Sequence, residues 1–346
     1  MVETSGKRIR VGLIGAGGFA NAALIPAMRF ADIDLVAICD RDLERAGAVA
    51  RAAGNATAHG SAEAMFEAEQ LDAVVMAVGP TVYPQLARQA LHAGVDVFVE
   101  KPPAVTVAEA EGMRDVAWEA GRRLGVGFMK RFATGYRMAK ELATAPEFGR
   151  LTHVSARIST GVWTPAWSSE LTPLAFVLDH SVHFTDLVQF FGGPVEWVCA
   201  SPSRSGDRMG FAVAMGFANG ASGVLEISNF ESRGVPNERL QLMGDQGVSV
   251  TVENVSRVTY GRDAEPMGPG RAFGVDRDRV VWEPNMTNIS SENSSLVHMG
   301  YVGEMRNLAD SILGGRPLSP SIDDGILALK LAHAILDSNG RRVDIV

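Results

Sequence analysis

Five short runs in the first 129 residues are apolar at almost every position: "RVGLIG" (10–15), "LVAICD" (35–40), "DAVVMAV" (72–78), "DVFVE" (96–100) and "LGVGFM" (124–129). A run that is apolar throughout, not at alternate positions, suits a strand covered on both faces. Between the runs lie alanine-rich stretches with helical spacing, at 43–53, 83–93 and 107–122. Strand–helix alternation of this kind predicts a parallel sheet with helices on both sides, hence an α/β fold. Pro26 interrupts the first helical pattern and predicts a kink or a restart there.

The texture changes after residue 127. "THVSARIS" (152–159), "GFAVAMGFA" (210–218), "ASGVLEISNF" (221–230) and "GVSVTVEN" (247–254) alternate, which predicts a mostly antiparallel sheet with one half-exposed face. Helices are expected at 179–191, 300–313 and 322–338, and the polar, aperiodic stretch 261–295 as a long loop. The organisation expected is two domains, 1–126 and 127–346. A formal net charge of −8 argues against nucleic acid or an anionic membrane as partner. No run of about 18 apolar residues occurs, and the N-terminus lacks a signal-peptide core. Cys39 and Cys199 both lie in apolar runs and suit buried thiols in a reducing cytoplasm.

The first run leads into "GAGGFA", in which Gly15, Gly17 and Ala20 match G-x-G-x-x-[G/A]. The first glycine makes a tight turn, the second lets a pyrophosphate approach the backbone, and the third small residue lets helix and strand pack. The second run ends in Asp40, 23 residues beyond Gly17, close to the roughly 20 at which an acid accepts from a ribose hydroxyl. A carboxylate there repels a 2′-phosphate, so NAD is expected as cofactor, with NADP as the alternative if Arg41 turns toward such a phosphate.

Ligands of open parallel sheets bind beyond the carboxyl ends of the strands. Those ends here carry Gly15, Asp40, Gly79 with Pro80, Glu100 with Lys101, and Lys130 with Arg131. At "VFVEKPP" two prolines stop the strand directly behind Lys101 and fix its direction. Farther on, "LDHSVHFTDLVQFF" places Asp179, His183 and Asp186 at i, i+4 and i+7, one face of a helix otherwise rich in apolar residues. His180 falls about 100° from that stripe and reads as a packed histidine. A metal site from Asp179, His180 and His183 lacks a completing cluster, so no metal is expected.

"GAGGFA", "VEKPP" and "DHSVH" together resemble, in order and spacing, the signatures of the glucose–fructose oxidoreductase / inositol dehydrogenase / rhizopine-catabolism (Gfo/Idh/MocA) family. The resemblance extends to the ending "SPSIDDGILALKLAHAILDSNGRRVDI" and covers nearly the whole chain. It implies a Rossmann domain followed by an α+β domain on a large, mostly antiparallel open sheet, through which a homodimer or homotetramer would form. It implies catalytic roles at the nicotinamide for Lys101, Asp179 and His183, and a place near the nicotinamide ribose for Pro80. The candidate cofactor residues are then Gly15, Gly17, Gly18, Phe19, Ala20, Asp40, Arg41, Gly79, Pro80, Glu100 and Lys101. "GFMKRFATGY" (127–136) looks like inositol dehydrogenases, which makes Lys130 a candidate for substrate contact, with a structural salt bridge as the competing reading. Trp163 and Trp167, in "GVWTPAW", are candidates for stacking on a sugar ring, with core or interface packing as theirs. Gly79, Pro84 and His180 depart from the residues usual at their positions, which leaves the substrate open.

The chemistry expected is hydride transfer between a nicotinamide and a secondary alcohol or ketone of a sugar, cyclitol or related polyol. His183, with the ordinary imidazole pKa of about 6.5, suits general-base work near neutrality. Lys101 would polarise or relay the same proton, and Asp179 would orient substrate or imidazole. The alternatives within the resemblance are an NAD-dependent glycosidase and a sensor that binds without turnover; an intact Lys/Asp/His set argues against the sensor.

Overall fold

Six parallel strands form the first sheet: β1 (Ile9–Ile14), β2 (Ile33–Cys39), β3 (Thr57–His59), β4 (Ala73–Met76), β5 (Asp96–Glu100) and β6 (Leu124–Gly127). Their order is β3-β2-β1-β4-β5-β6, the doubly wound arrangement of a Rossmann fold. The computed structural model describes residues 6–54, 56–165, 167–232, 237–263, 277–285 and 294–345. By contact the chain divides into two units, Met1–Met129 with Gly300–Leu329, and Lys130–Met299 with Lys330–Val346. Gly300–Leu329 thus joins the first unit, although it lies far beyond the expected boundary at 126/127.

Burial explains the first sheet. Every residue of β4, β5 and β6 is buried, as continuous apolar runs require. Two helices of this unit start at side-chain caps: Asp42 accepts from the Arg45 amide (3.0 Å), and Thr106 forms a capping box with Glu109. The first helix opens as a π turn (Ala20–Leu24) and continues as an α-helix (Ile25–Met28) with Pro26 in its first turn, the restart expected there. Strand β3 and the helix Ala62–Ala68 have no counterpart in the sequence reading, because "TAH" holds no apolar run.

The second unit is built on nine strands: β7 (Leu151–Ser159), β8 (Val195–Ser205), β9 (Arg208–Phe217), β10 (Ser222–Ser228), β11 (Asn237–Gly244), β12 (Val248–Glu253), β13 (Arg257–Asp263), β14 (Arg277–Trp282) and β15 (Arg342–Asp344). In the order β14-β13-β12-β11-β7-β10-β9-β8-β15 all pairs are antiparallel except β7 with β10. Alternating burial along β10 shows the half-exposed face expected. Residues 277–282 correct the reading of 261–295 as one loop. They pair with β13 as β14, while 264–276 and 286–293 lie outside the described residues. Cys199 is half-buried, not buried, and both cysteines are free thiols. Among the described residues no helix is long and apolar enough to cross a membrane.

Candidate active site

The carboxyl edge of the first sheet begins at the glycine turn. Gly15 has φ +101°, and a Cβ there would lie 2.5 Å from the Ala77 carbonyl oxygen, so only glycine fits the crossing between β1 and β4. Gly17 and Gly18 are exposed, and a Cβ on either would meet nothing within 4 Å. The turn therefore presents bare backbone to open space, the surface a pyrophosphate needs. Asn21 closes the turn from within, its amide nitrogen donating to the carbonyls of Ala16 (3.0 Å) and Gly17 (2.8 Å). Ala20 is buried and Phe19 is 43% exposed.

Asp40 stands at the end of β2 and is tied to that turn, accepting from the Ala16 amide at 2.9 Å. It also accepts from the Asp42 amide (3.0 Å) and from Arg45 (Nε 3.2 Å, Nη2 2.6 Å). Partial burial pushes its carboxyl up, but the bonds from Arg45, Asp42 and Ala16 outweigh this and hold it below the ordinary carboxylate range. Arg41 is exposed; the guanidinium that meets Asp40 is that of Arg45, one helical turn on. The sequence reading missed it, although the i, i+5 spacing across a helix start was available as a signal.

Gly79 follows β4 with φ +135°, and Pro80 beside it is buried. At the end of β5 the Lys101 side chain is half-buried, while Pro102 and Pro103 are buried behind it. Pro103 packs where Gly325 leaves room: a Cβ on Gly325 would meet the Pro103 ring at 2.9 Å. The proline segment that follows Lys101 is thus packed against the helix Ile322–Ser338. Glu100, expected at the cofactor, is 6% exposed and lies against Gly127, where a Cβ would come within 2.8 Å of its carboxylate carbon. Its Oε2 accepts from the Lys101 amide at 3.2 Å.

In the second unit the helix expected at 179–191 has two parts, a π turn (Val177–Ser181) and an α-helix (Val182–Gly192). The wider turn breaks the α period on which the Asp179/His183/Asp186 stripe was drawn. Asp186 is instead 1% exposed and paired with Arg131, which donates through Nε (2.9 Å) and Nη2 (2.5 Å). Asp179 accepts from two indole N–H groups, those of Trp163 (2.7 Å, to Oδ2) and Trp167 (3.0 Å, to Oδ1). The Trp163 ring packs on His180, with centroids 5.1 Å apart, and on Phe176 at 5.5 Å. His183 is buried on the helix that follows. The tryptophans and the aspartate expected at the site are therefore together, joined by hydrogen bonds that the sequence reading did not foresee.

Lys130 is 5% exposed, and its ammonium donates to both oxygens of Glu238, at 2.6 and 2.7 Å. The Tyr136 hydroxyl also donates to Glu238 (3.2 Å), and the Phe184 ring lies 5.9 Å from the ammonium. This is the salt bridge that competed with substrate contact. Among the described residues no group of three or more His, Cys, Asp or Glu is placed to hold a metal ion.

Comparison with known proteins agrees with this geometry. The family model described as "Oxidoreductase family, NAD-binding Rossmann fold" matches residues 9–128, and that of the GFO/IDH/MocA C-terminal domain matches residues 136–250. D-apiose dehydrogenase of Paraburkholderia graminis is 26% identical over 99% of this chain and 91% of its own length. D-glucoside 3-dehydrogenase of Escherichia coli is 31% identical, but the match spans only 54% of each protein. Among solved structures, a dehydrogenase from Chromobacterium violaceum superposes with a TM-score of 0.86 at 28% identity, covering 96% of both chains. The glycine turn and Asp40 on a parallel sheet, the Glu-Lys-Pro at the end of β5 and both matching models make this chain a member of the Gfo/Idh/MocA family, an NAD(P)-dependent oxidoreductase with an NAD-binding Rossmann domain.

Proposed function

We propose that the protein is an NAD-dependent dehydrogenase or reductase acting on a secondary alcohol or ketone carbon of a sugar, cyclitol or related polyol. The observation that carries this reading is the placing of Lys101 on the same carboxyl edge of the first sheet as the glycine turn and Asp40. When bound there, the nicotinamide supplies the hydride acceptor or donor. Lys101 then donates a hydrogen bond to the substrate oxygen and favours its alkoxide character. His183 takes the hydroxyl proton in oxidation and returns it in reduction. Asp179, with both oxygens held by indole N–H groups, orients the reacting hydroxyl or the imidazole. Trp163 and Trp167 act through this positioning. Lys130, with its charge engaged by Glu238, supports the second unit's framework and does not touch the substrate. Val224, 43% exposed on the second sheet, marks the face we assign to a homodimer or homotetramer interface.

The polyol assignment rests on chemistry and on relatives. Ammonium, carboxylate and imidazole groups offer more donors and acceptors than one hydroxyl can use, and the relatives are named for D-apiose and D-glucosides. A site that pairs several hydroxyls discriminates sharply against an analogue lacking one, because its buried partners are left unsatisfied. The expected result is a kcat/KM at least about 10²-fold higher for the best polyol than for its monodeoxy analogue or a simple secondary alcohol. Comparable values for the polyol and a small monohydroxy alcohol contradict the assignment.

The preference for NAD rests on Asp40. Its replacement by alanine removes a ribose acceptor and frees the exposed Arg45 guanidinium to meet a 2′-phosphate. Asp40→Ala is expected to weaken NAD binding by about tenfold and to narrow or reverse the preference over NADP, read by direct titration of each. Tighter NADP than NAD binding by the unaltered protein contradicts the preference.

A further inference from the structure

The helix Tyr301–Leu313 belongs to the first unit, where the Tyr301 ring meets Phe19 of the glycine turn edge-on, 5.8 Å between centroids. One turn on, Glu304 is 1% exposed, and neither of its carboxylate oxygens has a hydrogen-bond partner. Glu100 is buried too; Oε2 accepts from the Lys101 amide, and Oε1 has no partner. Two neighbouring buried carboxyl groups thus leave three oxygens without a donor. Buried oxygens without donors are costly, and two adjacent carboxylates do not both ionise in such a place.

Burial, and then repulsion from Glu100, push Glu304 well above the ordinary carboxyl range. Burial pushes Glu100 up as well, to about 7, against the pull of the Lys101 ammonium and amide. Tyr83, 2% exposed, also faces Glu100, and its hydroxyl is held protonated by burial and by the Glu100 charge. One proton placed between the two carboxyl groups pairs two of the three oxygens and leaves the third as the carbonyl of a neutral acid, which is less costly to bury than a carboxylate oxygen.

We propose that Glu304 is a positioning residue for Lys101: it stays protonated and donates its O–H to Oε1 of Glu100, keeping Glu100 ionised beside the lysine. Both ends of the Glu100 carboxylate are then held, Oε2 by the Lys101 amide and Oε1 by Glu304. The strand end is fixed, and the lysine ammonium keeps a permanent counter-charge. Nothing in the Glu-Lys-Pro segment itself supplies that donor; it comes from a helix some 200 residues later in the chain. The inference rests on the part given above to Lys101.

The test is trace labelling of lysine amines with acetic anhydride across a pH series, read at Lys101 by mass spectrometry without substrate, alongside kcat. In Glu304→Leu, Glu100 loses its donor and takes up a proton near neutrality, so Lys101 labels at lower pH than in the unaltered protein. The same variant lowers kcat about tenfold or more, the scale of a lost hydrogen bond to a charged group. Glu304→Gln retains an N–H donor and restores both readings. Should Glu304→Leu fail to fold, Glu100→Gln removes the same charge and gives the same shift in labelling. A Lys101 profile unchanged in Glu304→Leu or Glu100→Gln overturns the proposal, as does Glu304→Gln behaving like Glu304→Leu. The labelling does not depend on turnover, so it still decides this point if Lys101→Ala shows that the lysine has no part in catalysis.

Discussion

Replacing Lys101 or His183 by alanine is expected to lower kcat by about 10²-fold or more in each case, with NAD affinity nearly unchanged. The split between kcat and affinity follows from where the groups stand. On the proposed reading the glycine turn and Asp40, on β1 and β2, hold the pyrophosphate and ribose, whereas Lys101 lies at the end of β5. Removing an ammonium or an imidazole that acts only as the proton moves leaves ground-state binding of the dinucleotide almost intact. If both residues serve the same proton, their losses do not add. The double variant should then be little worse than the poorer single one. Measured kcat near the unaltered value in either single variant, with the true substrate, removes that residue from the chemistry.

The second large effect is on stability. Lys130→Met is expected to destabilise the fold by about 3–5 kcal/mol, because it leaves the buried Glu238 carboxylate with only the Tyr136 hydroxyl as side-chain donor among the described residues. The pair itself is not expected to stabilise the fold by that amount. Desolvating both ions offsets most of their attraction, so replacing both, as in Lys130→Met with Glu238→Leu, should cost much less than Lys130→Met alone. Urea unfolding of the three proteins measures this directly. If Lys130 instead contacted substrate, Lys130→Met would raise KM while leaving the unfolding midpoint near that of the unaltered protein.

The sequence made the first sheet readable because continuous apolar runs have few other uses: β1, β2, β4, β5 and β6 all fall within a few residues of their expected places. Strand β3 escaped because three residues, one of them exposed, carry no period. β14 escaped because "RDRVVW" lies inside a polar stretch, and its strand character comes from pairing with β13. The sheet edge that gathers Gly15, Asp40 and Lys101 was legible, since the ends of parallel strands share one side. What each side chain touches was not. Lys130 meets a partner more than 100 residues away, and Arg131 takes Asp186 off the helical stripe. The π turn before His183 is invisible to a count based on 3.6 residues per turn. Glu304 reads as an ordinary helix residue until the helix is seen to return to the first unit, where the residue is buried.

The central claim is that a hydride passes between NAD and a hydroxyl-bearing carbon of a polyhydroxylated ring. The most direct measurement is the absorbance of reduced nicotinamide when the protein and NAD are mixed with a panel of sugars, inositols and their glycosides, with sugar products followed in parallel. The account predicts that reduced nicotinamide accumulates with at least one cyclic polyol or sugar, in step with one equivalent of keto product. Release of sugar from a glycoside with no net reduced nicotinamide, or turnover confined to simple alcohols, would contradict it.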